Sequence, residues 1–340
     1  MAQGRSAANV PEYAGNRTQG TSEALSCPVC GNPPTGHALD VFHSSSLFAC
    51  AQCDLQYWHP VAMPDGSWYE TAYQGRDCTA MPLEPGHRFF LADPKAPKRG
   101  HLLDLGCGVG NFVAAAKDAG FDATGIEFDA SAVRFAQQHY GLEKVFAMRP
   151  EDFRSTFPRK RFDIVTFFEV LEHQDDPRHF LDVAAGFLAD RGYVAISVPN
   201  RCRWQKGVET LDYPPNHLTR WSPTALKNFL ERNGFEVLSM RQEPLGVRRA
   251  AEVLSACLPT GLASRIAGGR APVMAELAEM SADEMKRTVE LVQHHRGYRL
   301  AGRLVRYKAL AITPAAAMLL PYFRMRGYTG LYLYGLARKR

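Results

Sequence analysis

The stretch His101-Leu-Leu-Asp-Leu-Gly-Cys-Gly-Val-Gly110 decides the reading of this chain. Its first half reads as a buried β-strand that runs into a glycine-rich turn and then a helix from Asn111. Gly106, Gly108 and Gly110 let the backbone turn sharply and let a ligand approach it closely. The helix offers unpaired N–H groups at its start. The spacing is GxGxG rather than GxGxxG, and Asp104 lies two residues before the first glycine. A carboxylate there repels a pyrophosphate and attracts a cationic ligand.

Strand and helix alternate on the C-terminal side of this stretch. Asp122 to Glu127 is a second strand ending in an acid, and Asp129 caps a helix with Val133, Ala136 and Tyr140 on one face. Lys144 to Met148, Phe162 to Phe168 and Gly192 to Val198 read as further strands. Asp176-Pro177 and Ser222-Pro223 open helices, and Gly234 stops the second of them. Phe235 to Met240 is a sixth strand and Tyr328 to Ala337 the last. Such alternation builds a parallel sheet covered on both faces, with ligands at the carboxyl ends of its strands. Glu127 lies about 20 residues after the glycines, where an acid takes both ribose hydroxyls of an adenosine ligand.

The glycine stretch resembles motif I of the class I S-adenosylmethionine (SAM) methyltransferases, whose sulfonium cofactor carries no phosphate. The resemblance implies an α/β fold, a Rossmann-like seven-stranded sheet. It implies cofactor contacts from Asp104, Gly106, Cys107, Gly108, Gly110, Glu127, Phe128, Glu151, Asp152 and Phe168. Glu127 would take the ribose, and Glu151-Asp152 would line the adenine, although Arg149-Pro150 stands where the family often has an Asp. Glu169-Val-Leu-Glu172-His173 matches the EVLEH motif of a subgroup that includes ubiquinone-pathway O-methyltransferases and bacterial glycan-tailoring enzymes. In small-RNA 2′-O-methyltransferases a similar Glu-x-x-Glu-His, with a later His, holds a divalent metal. Here Pro214-Pro-Asn-His217 offers that later His. Glu169, Glu172, His173 and His217 therefore either bind an ion such as Mg²⁺ or Mn²⁺, or only fix the loop by hydrogen bonds. His217, converging with Glu169 and His173, is the expected general base.

Cys27-Pro-Val-Cys30-Gly31 and Cys50-Ala-Gln-Cys53 are two CxxC pairs separated by 19 residues. Four thiolates from two tight turns make a structural zinc site; the alternatives are reduced pairs or a disulfide. Val41 to His43 and Leu47 to Ala49 would be the short strands of a zinc ribbon, similar to the modules of sugar C-methyltransferases. Residues 27–75 contain no Lys or Arg, which argues against phosphate contacts by this module. The expected layout is a disordered tail (1–24), the ribbon (25–58), a helical linker or lid (59–98), the SAM-binding core (99–241), a helical insertion (242–325), and the last strand with a basic tail (326–340).

Hydrophobic content of 46% and charged content of 22% suit a soluble globular protein of 340 residues. No run is apolar enough to span a bilayer and no signal peptide is legible, so a cytoplasmic location is expected. The net charge of +5 is uneven: residues 241–340 carry 17 Lys and Arg against 7 Asp and Glu. The uncharged tract Ala309 to Phe323 is preceded by Arg296, Arg299, Arg303, Arg306 and Lys308, and followed by Arg324 and Arg326. That pattern suits peripheral contact with an anionic membrane surface, at its inner face, or a core helix with a solvated basic face. The leading functional expectation is methyl transfer from SAM to a sugar-type acceptor: a nucleotide sugar, glycan or lipid-linked saccharide. The alternatives are O-methylation of a phenolic or quinone-like small molecule, RNA methylation with the ribbon as reader, which the charge disfavours, and a non-catalytic SAM-binding partner of a biosynthetic complex.

Overall fold

A computed structural model describes residues 25–42, 44–60, 78–203, 208, 212–257 and 312–340. Strands β1 (Asp40–Phe42), β2 (Ser45–Ala49) and β3 (Gln56–His59) form a small antiparallel meander. The main sheet is built from β4 (Gly100–Leu105), β5 (Phe121–Glu127), β6 (Val145–Ala147), β7 (Phe162–Phe168) and β8 (Leu188–Pro199), joined by two later strands. A two-residue strand, β9 (Thr219–Arg220), pairs with β3 and so adds a fourth strand to the meander. The later strands of the main sheet are β10 (Phe235–Pro244) and β11 (Thr329–Lys339). The order across the sheet is β6-β5-β4-β7-β8-β11-β10. This is the expected Rossmann-like seven-stranded α/β sheet.

The sheet is mixed rather than parallel throughout. The pairs from β6 to β8 are parallel, whereas β11 runs against both β8 and β10. Alternation of side chains assigns residues to faces but carries no sign of strand direction. The faces follow that alternation. Leu103, Leu105, Val165 and Phe167 join Phe153, Phe180, Leu181 and Phe229 in one core. Leu102, Ile164 and Phe168 join Phe90, Phe112 and Tyr334 in the other.

The helices are α1 (Pro85–Leu91), α2 (Asn111–Asp118), α3 (Ala130–Tyr140), α4 (Pro150–Thr156), α5 (Pro177–Gly186), α6 (Pro223–Arg232), α7 (Val247–Cys257) and α8 (312–325). Their starts carry the expected caps. Asp129, Asp176 and Ser222 accept from the backbone N–H groups of Ser131, His179 and Ala225.

The ribbon does not stand apart from the core. Val29, Leu55 and Tyr57 share a hydrophobic cluster with Trp221 and Phe229. The Trp58 backbone N–H donates to Leu218 O at 3.0 Å, and its indole N–H donates to Asp212 O at 2.9 Å. Asp54 accepts from Arg201 and from the Ser222 hydroxyl. These partners lie far away in the chain, so no local pattern announces them.

The expected disordered tail (1–24), most of the aromatic lid segment (61–77) and residues 258–311 of the helical insertion lie outside the described residues, as do Arg296, Arg299, Arg303, Arg306 and Lys308. The described flanks of the insertion are helical: Ala316, Leu320 and Phe323 of α8 pack with Leu245 and Ala250. Met318, Leu319, Tyr322 and Met325 are exposed. No helix among the described residues is long and apolar enough to cross a membrane.

Candidate functional site

A cavity of about 750 Å³ lies at the carboxyl ends of the central strands. Its floor is the turn after β4 (Asp104 to Val109) and the end of β5 (Ile126 to Asp129). Met148 to Glu151, after β6, wall one end. Phe168 to Val170, His173, Pro215 and Asn216 wall the other, and Cys78, Thr79, Met81, Glu84 and His87 close over it from α1 and the segment before it. A volume of this size is that of an ordinary small-molecule site.

The floor is held by the backbone itself. The N–H groups of Gly106 and Cys107 both donate to Ile126 O, at 2.8 and 3.0 Å. The Glu127 carboxylate accepts three backbone N–H bonds: from Gly108 at 2.9 Å, Phe128 at 2.8 Å and Asp129 at 3.1 Å. Burial raises its pKa against these amides. Asp104 is sealed beneath the turn and accepts from the Thr166 hydroxyl at 2.6 Å. Burial pushes its carboxyl up to about 7, with Thr166 opposing and Glu127 adding to the shift.

The three glycines have different duties. A Cβ on Gly108 would meet no protein atom within 4 Å, and the residue lines the cavity. A Cβ on Gly110 would lie 2.7 Å from Ala136 Cβ and 2.9 Å from Leu142 Cδ1, both outside the cavity. Gly110 therefore serves the packing of α2 against α3. A Cβ on Gly106 would lie 2.7 Å from Val170 Cγ2, so this glycine makes room for the turn that follows β7.

That turn begins with Glu169, a non-glycine residue at φ 56°. Such a conformation is costly, and it recurs where a side chain must be aimed. Glu169 accepts from the Ser197 hydroxyl at 2.7 Å. Burial pushes its carboxyl up to about 8; Ser197 opposes the shift and Glu84 adds to it.

Glu172, His173 and His217 offer ligand atoms that all lie within 4.8 Å of one another. Both Glu172 oxygens are buried without a hydrogen-bond partner, and His173 Nε2 is 3.8 Å from one of them. His173 Nδ1 bonds to Asn216 O, so it carries the proton and Nε2 carries the lone pair. Burial and His217 hold His173 down to about 4, so it is neutral. His217 Nδ1 is 3.5 Å from the Asp212 carboxylate, which also takes Arg203 and Arg220. Buried carboxylates without hydrogen bonds are unfavourable unless protonated or bound to a cation.

The cavity brings together Asp104, Gly106, Cys107, Gly108, Glu127, Phe128, Glu151, Phe168, Glu169 and His173. It does not bring in three expected residues. Asp152 is exposed on α4, one position past the wall. Gly110 is turned into the α2–α3 contact. His217 is 8% exposed and sits against His173, their ring centroids 5.1 Å apart, without lining the cavity. The loop 212–221 is pulled towards the ribbon and carries His217 with it, presenting Pro215 and Asn216 instead. Glu169 is likewise not part of the Glu172–His173–His217 group. Sequence reasoning missed Glu84 and His87; Glu84-Pro-Gly-His87 signals a helix start and nothing more.

The four ribbon cysteines converge. Cys27, Cys30, Cys50 and Cys53 place their sulfurs within 4.8 Å of one another, with neighbouring pairs at 3.3 to 3.4 Å, and none is in a disulfide. Each CxxC is followed by a left-handed residue, Gly31 at φ 72° and Asp54 at φ 57°, so the two turns are alike. The neighbouring Cys53 sulfur, with the Val29 and Cys30 amides, brings the Cys27 thiol down to about 5 against burial. Four sulfurs gathered from two such turns suit a tetrahedral zinc.

Comparison with known proteins gives the following. Residues 79–240 match a family model described as a methyltransferase domain. A ubiquinone biosynthesis O-methyltransferase of Nitrobacter winogradskyi is 34% identical over 152 residues, covering 40% of this chain and 56% of that protein. One from Coxiella burnetii is 27% identical over 181 residues, covering 47% and 77%. The chain spans about half the length of the first curated relatives it matches. Among solved structures, a SAM-dependent methyltransferase from Archaeoglobus fulgidus aligns over 75% of this chain and 92% of its own, at 19% identity and a TM-score of 0.43.

Proposed function

We propose that the protein transfers a methyl group from SAM to a hydroxyl of a small, uncharged, phenol-like acceptor in this cavity. The observation that carries the reading is the charge of the wall. Glu84, Asp104, Glu127, Asp129, Glu151 and Glu169 line it, against Arg149 as its one Lys or Arg among the described residues. Such a wall favours a sulfonium and repels a diphosphate. The leading expectation from the sequence is a sugar-type acceptor, whether nucleotide sugar, glycan or lipid-linked saccharide; the wall disfavours its nucleotide-sugar form, and the phenolic alternative takes its place. The matches to proteins named ubiquinone biosynthesis O-methyltransferase point the same way.

Bound here, SAM supplies a methyl carbon on a cationic sulfur, open to in-line attack. Glu127, pre-oriented by three amides, takes the ribose hydroxyls. Asp104 and Glu169 would lie at the sulfonium end, and the cation would favour their deprotonated forms. Glu169, rather than His217, takes the hydroxyl proton, because it lines the cavity and its raised pKa suits a base near neutral pH. Pro215 and Asn216 hold the acceptor side. A divalent cation would bind Glu172, His173 and His217, neutralising the bare Glu172 carboxylate and acting as a Lewis acid. His173 would offer Nε2 with its tautomer set by Asn216 O, and Asp212 would orient His217. Zinc on the four cysteines would be structural, and a ribbon without Lys or Arg does not favour RNA.

The test is transfer of labelled methyl from SAM to a panel containing a prenylated catechol, a nucleoside-diphosphate sugar and a structured RNA. Label on the catechol is expected. Label on the nucleotide sugar or RNA instead, or on none of them, overturns the reading.

A further inference from the structure

His87 is a fixed hydrogen-bond donor in the cavity lining. It is the third residue of α1, and the backbone N–H of Glu84 donates to its Nδ1 at 3.1 Å. A nitrogen that accepts an N–H holds a lone pair, so the proton of the neutral ring is on Nε2. The ring is clamped: it stacks on Phe112 at 4.9 Å and 24°, and Phe168 meets it edge-on at 4.9 Å. Burial, helped by Arg88, takes its pKa down to about 4, so the ring stays neutral at working pH. Its Nε2 has no partner among the described residues, yet it is not one of the sealed buried atoms, and His87 lines the cavity.

The strand order says which end of the cofactor this donor meets. With the ribose at Glu127 on β5 and the adenine beside β6, the amino-acid tail must extend the other way, over β4 towards β7. His87 stands there, on the first turn of α2 and the end of β7. The other ionisable groups at that end, Glu84, Asp104 and Glu169, are all carboxyls, which suit an ammonium and a sulfonium and offer a carboxylate no cation. We propose that His87 is a positioning residue that binds the α-carboxylate of the cofactor through its Nε2–H. The proposal rests on the reading of the cavity as a SAM site.

Calorimetry with S-adenosylhomocysteine and with 5′-methylthioadenosine, which lacks the amino-acid tail, separates the two ideas. His87→Ala is expected to weaken S-adenosylhomocysteine about tenfold or more, the scale of one hydrogen bond to a charged group. His87→Gln, which keeps an amide N–H near the Nε2 position, should recover part of that loss. Methylthioadenosine should bind all three proteins alike. Equal losses for both ligands would make His87 merely structural, and no loss for either would assign it elsewhere; both outcomes overturn the proposal. Wild type that binds neither ligand overturns the SAM reading itself. Nitrogen-15 spectra of the wild type give a check without substitution. A protonated Nε2 that shifts with S-adenosylhomocysteine but not with methylthioadenosine is expected, and an Nδ1–H tautomer overturns the proposal.

Discussion

Gly108→Ala and Gly110→Ala should fail in different ways, although both glycines belong to one motif. Each lies in the left-handed region, at φ 52° and φ 80°, so each alanine costs roughly 1–2 kcal/mol of backbone strain. For Gly108 nothing is added, since its Cβ has no protein neighbour within 4 Å. For Gly110 the new methyl lies 2.7 Å from Ala136 Cβ and 2.9 Å from Leu142 Cδ1. Overpacking of this kind adds about 1–3 kcal/mol, so the total is about 2–5 kcal/mol. Urea unfolding of the ligand-free proteins reads that difference. Calorimetric titration with S-adenosylhomocysteine reads the other half. Gly108→Ala should remain folded yet bind at least tenfold more weakly, because its methyl stands in the ligand's space. Gly110→Ala, where it folds, should bind within a factor of about three of wild type. Equal stability of the two variants, or equal loss of affinity at wild-type stability, would refute this division of labour.

Protein purified without added metal should contain about one zinc per chain by elemental analysis, and Cys50→Ser should abolish it; zinc-free, fully folded wild type would count against the site. The kcat/KM should rise with pH through about 8, because burial raises Glu169 in the ligand-free protein and only its deprotonated form accepts a proton. Glu169→Gln should remove that limb and lower the rate by about 10²–10⁴; an unchanged profile would move the base elsewhere. Asp104 has a folded pKa raised to about 7, so the ligand-free protein binds that proton more tightly than the unfolded chain does. Its contribution is greatest near pH 4 and is lost as pH rises through about 7. Asp104→Asn should flatten that decline in urea unfolding and weaken SAM; a decline of the same slope in the variant would remove Asp104 from the account. Mn²⁺ binding should be lost in His217→Ala and kept in Asp152→Ala, and equal binding by both would discard the Glu172–His173–His217 site.

The places of Gly108 and Glu127 in the cavity lining were legible in the sequence because they depend on neighbours within one β-α-β unit. The division between Gly108 and Gly110 was not, since it is set by Ala136 on another helix. His217 had the right spacing, but loop 212–221 is anchored from outside by Trp58 and turns that ring behind His173. Glu84 and His87 reach the cavity only because α1 docks on β8 and β11, and a helix start carries no mark of where it will dock. The strand at the C-terminus was visible as alternation, while its reversed direction was not.

The pairing of β3 with β9 joins residues 56–57 to residues 219–220. On a ribosome the strand that completes this sheet emerges some 160 residues after the cysteine-bearing turns and β3. Until then β3 is an open edge, and Tyr57 and Trp58, both fully buried at the end, face water. The cysteine-bearing meander is therefore made well before the strand that completes it. A truncation ending before Thr219 would leave a sticky aromatic edge, whatever metal its cysteines had captured.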